Sequence, residues 1–170
     1  MREINGRHAR PFQTAEKAST ALAVEQEYAI QGTASGEIHL LDPSVGKTLR
    51  TLQGHSDEVV ALATSADKKH LVSGGADTVI RAWEIASGAN FQTFEGHGAV
   101  VTDLSFSHQG DAFASISFDK TARLWDLMQG TCLRTLALAG EGLSVAYLRK
   151  DKVLATAGLK GKISLWKLDT

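Results

Sequence analysis

The sequence predicts an all-β chain built from four repeated units, and three observations carry that expectation. Tryptophans recur at Trp83, Trp125 and Trp166, spaced by 42 and then 41 residues. A glycine stands five residues beyond each anchor position, at Gly46, Gly88 and Gly130. No segment has helical apolar periodicity, whereas short apolar runs bounded by Gly, Asp and Ser turns recur throughout.

Forty-two residues before Trp83 stands Leu41, followed by Asp42, so an aliphatic residue holds the anchor of a first unit. The units span about 15–53, 54–95, 96–137 and 138–170, after an N-terminal segment 1–14. A period of about 40–45 residues is that of a propeller blade, a sheet of four short strands. Unit 2 shows the four most plainly: Val59–Thr64, His70–Ser73, Thr78–Ile85 and Asn90–Phe94. Val59 to Ala63 is apolar on both faces, as befits a strand between neighbouring sheets. A polar turn precedes the third strand: Ser35-Gly36, Ala76-Asp77-Thr78, Phe118-Asp119-Lys120 and Lys160-Gly161. Gly, Asp and Asn tolerate the positive φ that such turns demand. The fourth strand, Phe91-Gln92-Thr93-Phe94 in unit 2, is more polar and suits an outer edge with one wet face.

Composition narrows the class of function. A chain of 170 residues, 43% apolar and 22% charged, is ordinary for a soluble globular protein. A net charge of −1 gives no electrostatic reason to expect nucleic acid or an anionic membrane. The charge is uneven: residues 15–137 carry 9 basic and 15 acidic side chains, residues 138–170 carry 6 and 3, and residues 1–14 carry 3 and 1. The ends are thus mildly basic and would repel each other slightly if they met. Cys132 is the single cysteine, so no internal disulfide forms. No run approaches a membrane span and the N-terminus has no apolar signal region, which makes cytosol or nucleus the expected compartment.

Gly54-His55 to Trp83-Glu84, and Gly96-His97 to Trp125-Asp126, each place Gly-His about 28 residues before the anchor. This pattern resembles the WD-repeat, or beta-transducin repeat, family of β-propellers. Units 2 and 3 match it well and units 1 and 4 are degenerate, so the resemblance covers roughly residues 15–170. It implies an all-β propeller of four four-stranded antiparallel blades, forming a partial, open ring.

Within units 2 and 3 a polar set recurs at the same offsets: His55, Ser73, Asp77 and Trp83, then His97, Ser115, Asp119 and Trp125. Ser, His and Asp together invite a hydrolase reading, with His activating Ser and Asp orienting His. Against it, the set occurs twice in register, neither serine lies in a Gly-x-Ser-x-Gly elbow, and the fourth member is a tryptophan whose N–H needs a partner when buried. In the family the resemblance points to, these residues form a buried hydrogen-bond chain from Trp to Ser to His to Asp. Such a chain fixes one geometry because unpaired buried polar groups are costly. Unit 1 has Gln31, Ser35 and Leu41 at the Ser, Asp and Trp offsets, and unit 4 has Thr156, Lys160 and Trp166 with Ala139 near the His position, so neither completes the chain.

Other candidate sites are weak. His8, His39, His70 and His108 lack ligand spacing and read as exposed or turn histidines, so no metal is expected. Cys132 reads as an inert thiol. Ser73-Gly74-Gly75 lacks the lysine and spacing of a phosphate loop, and no cofactor is expected. Arg149, Lys150, Asp151 and Lys152, with Lys160 and Lys162, read as a solvated edge.

The resemblance therefore implies a non-enzymatic protein-interaction scaffold, a subunit or adaptor in a multiprotein complex. An RNA-associated scaffold using the basic ends, in a ribonucleoprotein or ribosome-assembly complex, is the alternative. Partner contact is expected from residues flanking the Gly-His loops and the Asp turns. These are Ser56, Asp57 and Glu58; Gly98, Ala99 and Val100; and Ala34, Ala76, Phe118 and Leu159. Phe118 and Leu159 stand out as large apolar side chains on turns. With Val100 they would form an apolar patch beside the acidic Asp57 and Glu58, and such aromatics are enriched at interface hot spots.

Counting Arg10–Thr14 as an isolated strand gives sixteen strands, enough for four full sheets if that segment closes the last blade. Three closures compete: an open arc, an eight-bladed ring of two chains, and a severely reshaped four-bladed ring. The open arc or association with other chains is favoured, because an uncapped blade exposes apolar faces that stacked repeats bury.

Overall fold

The computed structural model describes residues 19–24, 28–148 and 151–168, and all the regular structure among them is strand. Blade 1 comprises β1 (Ser19–Val24), β2 (Ala29–Thr33), β3 (Ile38–Leu41) and β4 (Thr48–Leu52). Blade 2 comprises β5 (Val59–Thr64), β6 (His70–Gly75), β7 (Ile80–Glu84) and β8 (Asn90–Phe94). Blade 3 comprises β9 (Val101–Phe106), β10 (Ala112–Ser117), β11 (Thr121–Asp126) and β12 (Cys132–Ala137). Blade 4 has three strands, β13 (Gly142–Leu148), β14 (Val153–Gly158) and β15 (Ile163–Lys167). Every blade is an antiparallel meander in chain order. The expected strand at Arg10–Thr14 lies outside the described residues.

Local chemistry sets the turns. A residue one or two places before the third strand takes a positive φ in all four blades: Gly36, Thr78, Lys120 and Gly161. The residue just before Thr78 and Lys120 is the aspartate, so Asp holds the turn by hydrogen bonding while its neighbour carries the left-handed backbone. That is why β7 begins at Ile80 and not at Thr78. Gly46, Gly88 and Gly130 also have positive φ, in the turns that lead to the fourth strands.

The core lies between the blades and not at one centre. Ile30, Ile38, Leu40 and Leu52 of blade 1 pack on Val59, Leu71, Trp83 and Ile85 of blade 2. Val72, Ile80, Ala82 and Phe94 of blade 2 pack on Val101, Phe113, Trp125 and Leu127 of blade 3. There Phe94 meets Phe113 edge-on at 4.8 Å and Trp125 at 5.6 Å, a geometry that aromatic quadrupoles favour. Ala114, Ile116, Ala122 and Leu124 of blade 3 pack on Val145, Leu154 and Trp166 of blade 4. The four sheets thus form a partial propeller in which Ile163 and Leu165 of blade 4 and Leu22 and Val24 of blade 1 are exposed, while Gln31, His39 and Leu41 of blade 1 are buried.

Candidate partner-binding site

Beneath the candidate surface, blades 2 and 3 each hold a complete polar chain. Trp83 Nε1 donates to Ser73 Oγ at 2.8 Å, Ser73 Oγ lies 2.7 Å from His55 Nε2, and His55 Nδ1 lies 2.9 Å from Asp77 Oδ2. In blade 3, Trp125 donates to Ser115 at 2.8 Å, Ser115 lies 2.7 Å from His97 Nε2, and His97 Nδ1 lies 2.7 Å from Asp119 Oδ2. Each carboxylate also ties down the loop leading into its blade and the turn after itself. Asp77 accepts the Ser56 and Val79 N–H groups; Asp119 accepts those of Gly98 and Thr121. The eight residues are brought together blade by blade, four and four.

Electrostatics fix the proton positions. Burial pushes both His55 and His97 below the ordinary histidine value, with their aspartates acting in opposition. Neutral imidazoles follow. With Nδ1–H donating to the carboxylate, Nε2 accepts the serine O–H, and the serine oxygen accepts the indole N–H, so every member is satisfied. Burial alone would raise the Asp119 carboxyl, yet hydrogen bonds from Thr121, His97 and the Gly98 N–H outweigh it and hold it at about 2. The order Ser to His to Asp is that of a hydrolase triad. Ser73 and Ser115, however, are fully buried with a tryptophan N–H on each oxygen, so no acyl group can reach them.

Blades 1 and 4 break the chain differently from each other. In blade 1, Gln31 and Leu41 are buried at the Ser and Trp positions, and Gln31 Oε1 has no hydrogen-bond partner. Ser35 bonds Thr33. In blade 4, Trp166 donates to Thr156 Oγ1 at 2.9 Å and the chain stops there. The histidine position belongs to Leu138 and not to Ala139: Leu159 N–H bonds Glu141 O just as Phe118 bonds Val100 and Ala76 bonds Glu58, which fixes the register. Leu138 packs on the apolar cluster between blades 3 and 4, where a histidine would have needed a carboxylate. Lys160, at the Asp position, is exposed.

The same backbone bonds place the contact candidates on one rim. Phe118 N–H donates to Val100 O at 3.1 Å, which sets these two side by side, and Leu159 sits likewise beside Glu141. Phe118, Leu159 and Asp57 are exposed, whereas Val100 and Glu58 are half-buried. The turn of blade 1 lies against the leading loop of blade 2: a Cβ on Gly36 would lie 2.5 Å from His55 O. Asp57 and Glu58 lie in the loop leading into blade 2, and Phe118 and Val100 belong to blade 3. Glu141 escaped the sequence reading, although it holds the same repeat position as Glu58 and could have been found from it.

The remaining histidines separate. His39 is buried on β3, bonding Thr51 at 3.0 Å, which corrects its reading as an exposed or turn residue; it faces the row that carries Gln31. His70 is half-buried and meets Phe91 edge-on at 5.4 Å, His108 is exposed, and His8 lies outside the described residues. Among the described residues no group of His, Cys, Asp or Glu has the geometry of a metal site. Cys132 is exposed.

Residues 46–84 and 88–126 match the family model described as WD domain, G-beta repeat. No curated protein matches the sequence. Among solved structures, the computationally designed Ika4 protein is similar at 28% identity and a TM-score of 0.83, over 96% of this chain and 99% of that one. The structures of U3-55K and of the RRP9 WD40 repeats are each similar at 25% identity and a TM-score of 0.86, over 94% of this chain. This chain spans 51% of the length of each of those two.

Proposed function

The chain belongs to the WD40-repeat family, and from that premise we propose that it is a non-catalytic protein-interaction scaffold, a subunit or adaptor of a multiprotein complex. One observation carries the proposal. The reactive-looking side chains are consumed inside the blades, while their sequence neighbours Phe118, Leu159, Asp57 and Glu141 stand exposed along the rim those blades share. A large apolar ring held on a turn beside a half-buried valine, with carboxylates nearby, suits a protein partner that offers an apolar anchor flanked by basic groups.

Capture with the full chain tests the contact surface. Partners retained by the wild-type chain should be lost from the Phe118→Ala/Leu159→Ser variant while its thermal melt stays in place. Retention of the same partners by that variant would remove Phe118 and Leu159 from the interface.

A second reading, an RNA-associated scaffold, is favoured by the exposed Lys152, Lys160, Lys162 and Lys167 of blade 4. Filter binding with salt titration separates the two, because phosphate contacts give a steep salt dependence and apolar contacts do not.

A further inference from the structure

Blade 4 keeps the donors of the polar chain but not the acceptor they serve. In blades 2 and 3 the turn aspartate accepts one N–H from the leading loop and one from two residues beyond itself: Ser56 and Val79, then Gly98 and Thr121. The register fixed by the Leu159 to Glu141 bond puts Ala139 and Lys162 at those two positions. Among the described residues neither of these N–H groups has an acceptor. Lys160 stands where the aspartate would be, and an ammonium has no lone pair with which to accept them. With Leu138 in the histidine's place as well, a cavity of about 20 Å³ remains, lined among others by Ala139, Thr156, Lys160, Lys162 and Ser164. That volume admits one small polar group. Every polar side chain on its wall can donate a hydrogen bond, and none carries negative charge. The buried Thr156 oxygen already accepts the Trp166 N–H, so its own proton is left to donate, whereas in blade 3 the Ser115 proton goes to His97. The Lys160 stem lies across the leading loop, its Cγ and Cδ 3.3 and 3.4 Å from where a Gly140 Cβ would stand. Neither lysine is paired with a described carboxylate.

We propose that this cavity is a carboxylate socket, which takes an acidic side chain of the protein partner where blades 2 and 3 supply their own aspartate. The proposal rests on the reading of the chain as a protein-interaction scaffold and names one chemical group that the partner offers. Converging backbone N–H groups with cations beside them bind anions, and hydrogen bonds to a charged acceptor are the stronger kind. A carboxylate is favoured among anions because the same two loop and turn positions hold one in blades 2 and 3. The site is reachable, since Ala139, Lys160, Lys162 and Ser164 are all exposed. It also adjoins the rim, because Lys160 follows the exposed Leu159 directly. An apolar anchor on Leu159 would thus set a neighbouring acidic side chain of the partner at the mouth of the socket.

Amide NMR of the full chain, titrated at constant ionic strength, tests the proposal with two probes: sodium acetate, and a capped alanine peptide bearing one central glutamate. Both probes should shift the Ala139 and Lys162 amide protons saturably, and the peptide should do so at the lower concentration. Sodium chloride should leave them in place. Lys160→Ala keeps the N–H groups and loses one cation, so it should weaken acetate binding about two- to fivefold, the range for an exposed charge pair. Lys160→Asp brings a carboxylate of its own, so its two amides should start at the shifted positions and ignore acetate. Amides that acetate does not move would overturn the socket, as would a Lys160→Asp chain that responds like the wild type. Inorganic phosphate acting at lower concentration than acetate would overturn the choice of carboxylate and favour a nucleic-acid phosphate. A peptide no tighter than acetate would remove the partner's side chain as the occupant. Should Lys160→Asp fail to fold, the wild-type contrast between acetate and chloride still decides. Capture through Phe118 and Leu159 reads the apolar rim without the socket, so the scaffold reading and this proposal can fail separately.

Discussion

Gly142 presents bare backbone to Ile116 across the contact between blades 3 and 4, where an added Cβ would overlap Ile116 Cγ1. At the two preceding contacts the sizes are reversed. Gly32 faces Val59 and Gly74 faces Val101, and an added Cβ would lie 2.8 and 2.6 Å from the valine Cγ1. Each contact has one branched side chain and one glycine, but blade 4 has exchanged them. Gly142→Val should overpack the contact and cost about 1–3 kcal/mol. Ile116→Gly should leave a cavity costing about 2–5 kcal/mol. Combined, the two reproduce the arrangement of the other contacts, so urea denaturation should show a favourable coupling of about 0.5–3 kcal/mol. Simple additivity would argue against the exchange.

Thr78 is a β-branched residue at a φ of +67° where blades 1 and 4 have glycine. Relief of that strain outweighs the added freedom of the unfolded chain. Thr78→Gly should therefore raise stability by about 0.5–1 kcal/mol, read from urea midpoints. A lower midpoint would show that the Thr78 side chain contributes more than its backbone costs.

Stability should fall in two stages as the solution is acidified. His55 and His97 titrate lower in the folded chain than in the unfolded one. Below about pH 6.5, the ordinary histidine value, the unfolded chain therefore takes up protons that the native chain refuses, and stability declines. Asp119, held at about 2, adds stability that is fully present above its ordinary value of about 3.9 and is lost as pH falls from there towards about 2. Urea midpoints from pH 8 to pH 2.5 measure both stages, and Asp119→Asn should flatten the second. A profile that rises between pH 7 and pH 5 would contradict neutral, buried imidazoles.

Most of the fold was legible because the Trp83, Trp125 and Trp166 spacing locates each third strand, and turn residues then place its neighbours. β5 and β8 occur at Val59–Thr64 and Asn90–Phe94 as the pattern of unit 2 predicts. Details that depend on contacts between blades were not legible. The 41-residue spacing signals one missing residue but not where; it is lost around β12, ahead of the leading loop, which is why Leu138 and not Ala139 takes the histidine's place. The burial of His39 depends on Thr51 across the sheet, and the Gly142–Ile116 exchange on the approach of two sheets, neither of which sequence spacing records. On the rim, Phe118 and Leu159 were findable as apolar residues on turns. Their pairing with Val100 and Glu141 required the backbone bonds.

The central claim is a division of labour, with His97, Ser115, Asp119 and Trp125 fastening the blade and Phe118 and Leu159 meeting the partner. A paired measurement of thermal melting and of affinity for a captured partner, taken well below the melting temperature, tests it most directly. Asp119→Ala should lower stability by about 1–3 kcal/mol, the cost of leaving buried donors unpaired, and leave affinity unchanged. Phe118→Ala/Leu159→Ser should leave the melt in place and abolish binding. An Asp119→Ala chain that melts like the wild type, or a rim variant that binds like it, would contradict the account.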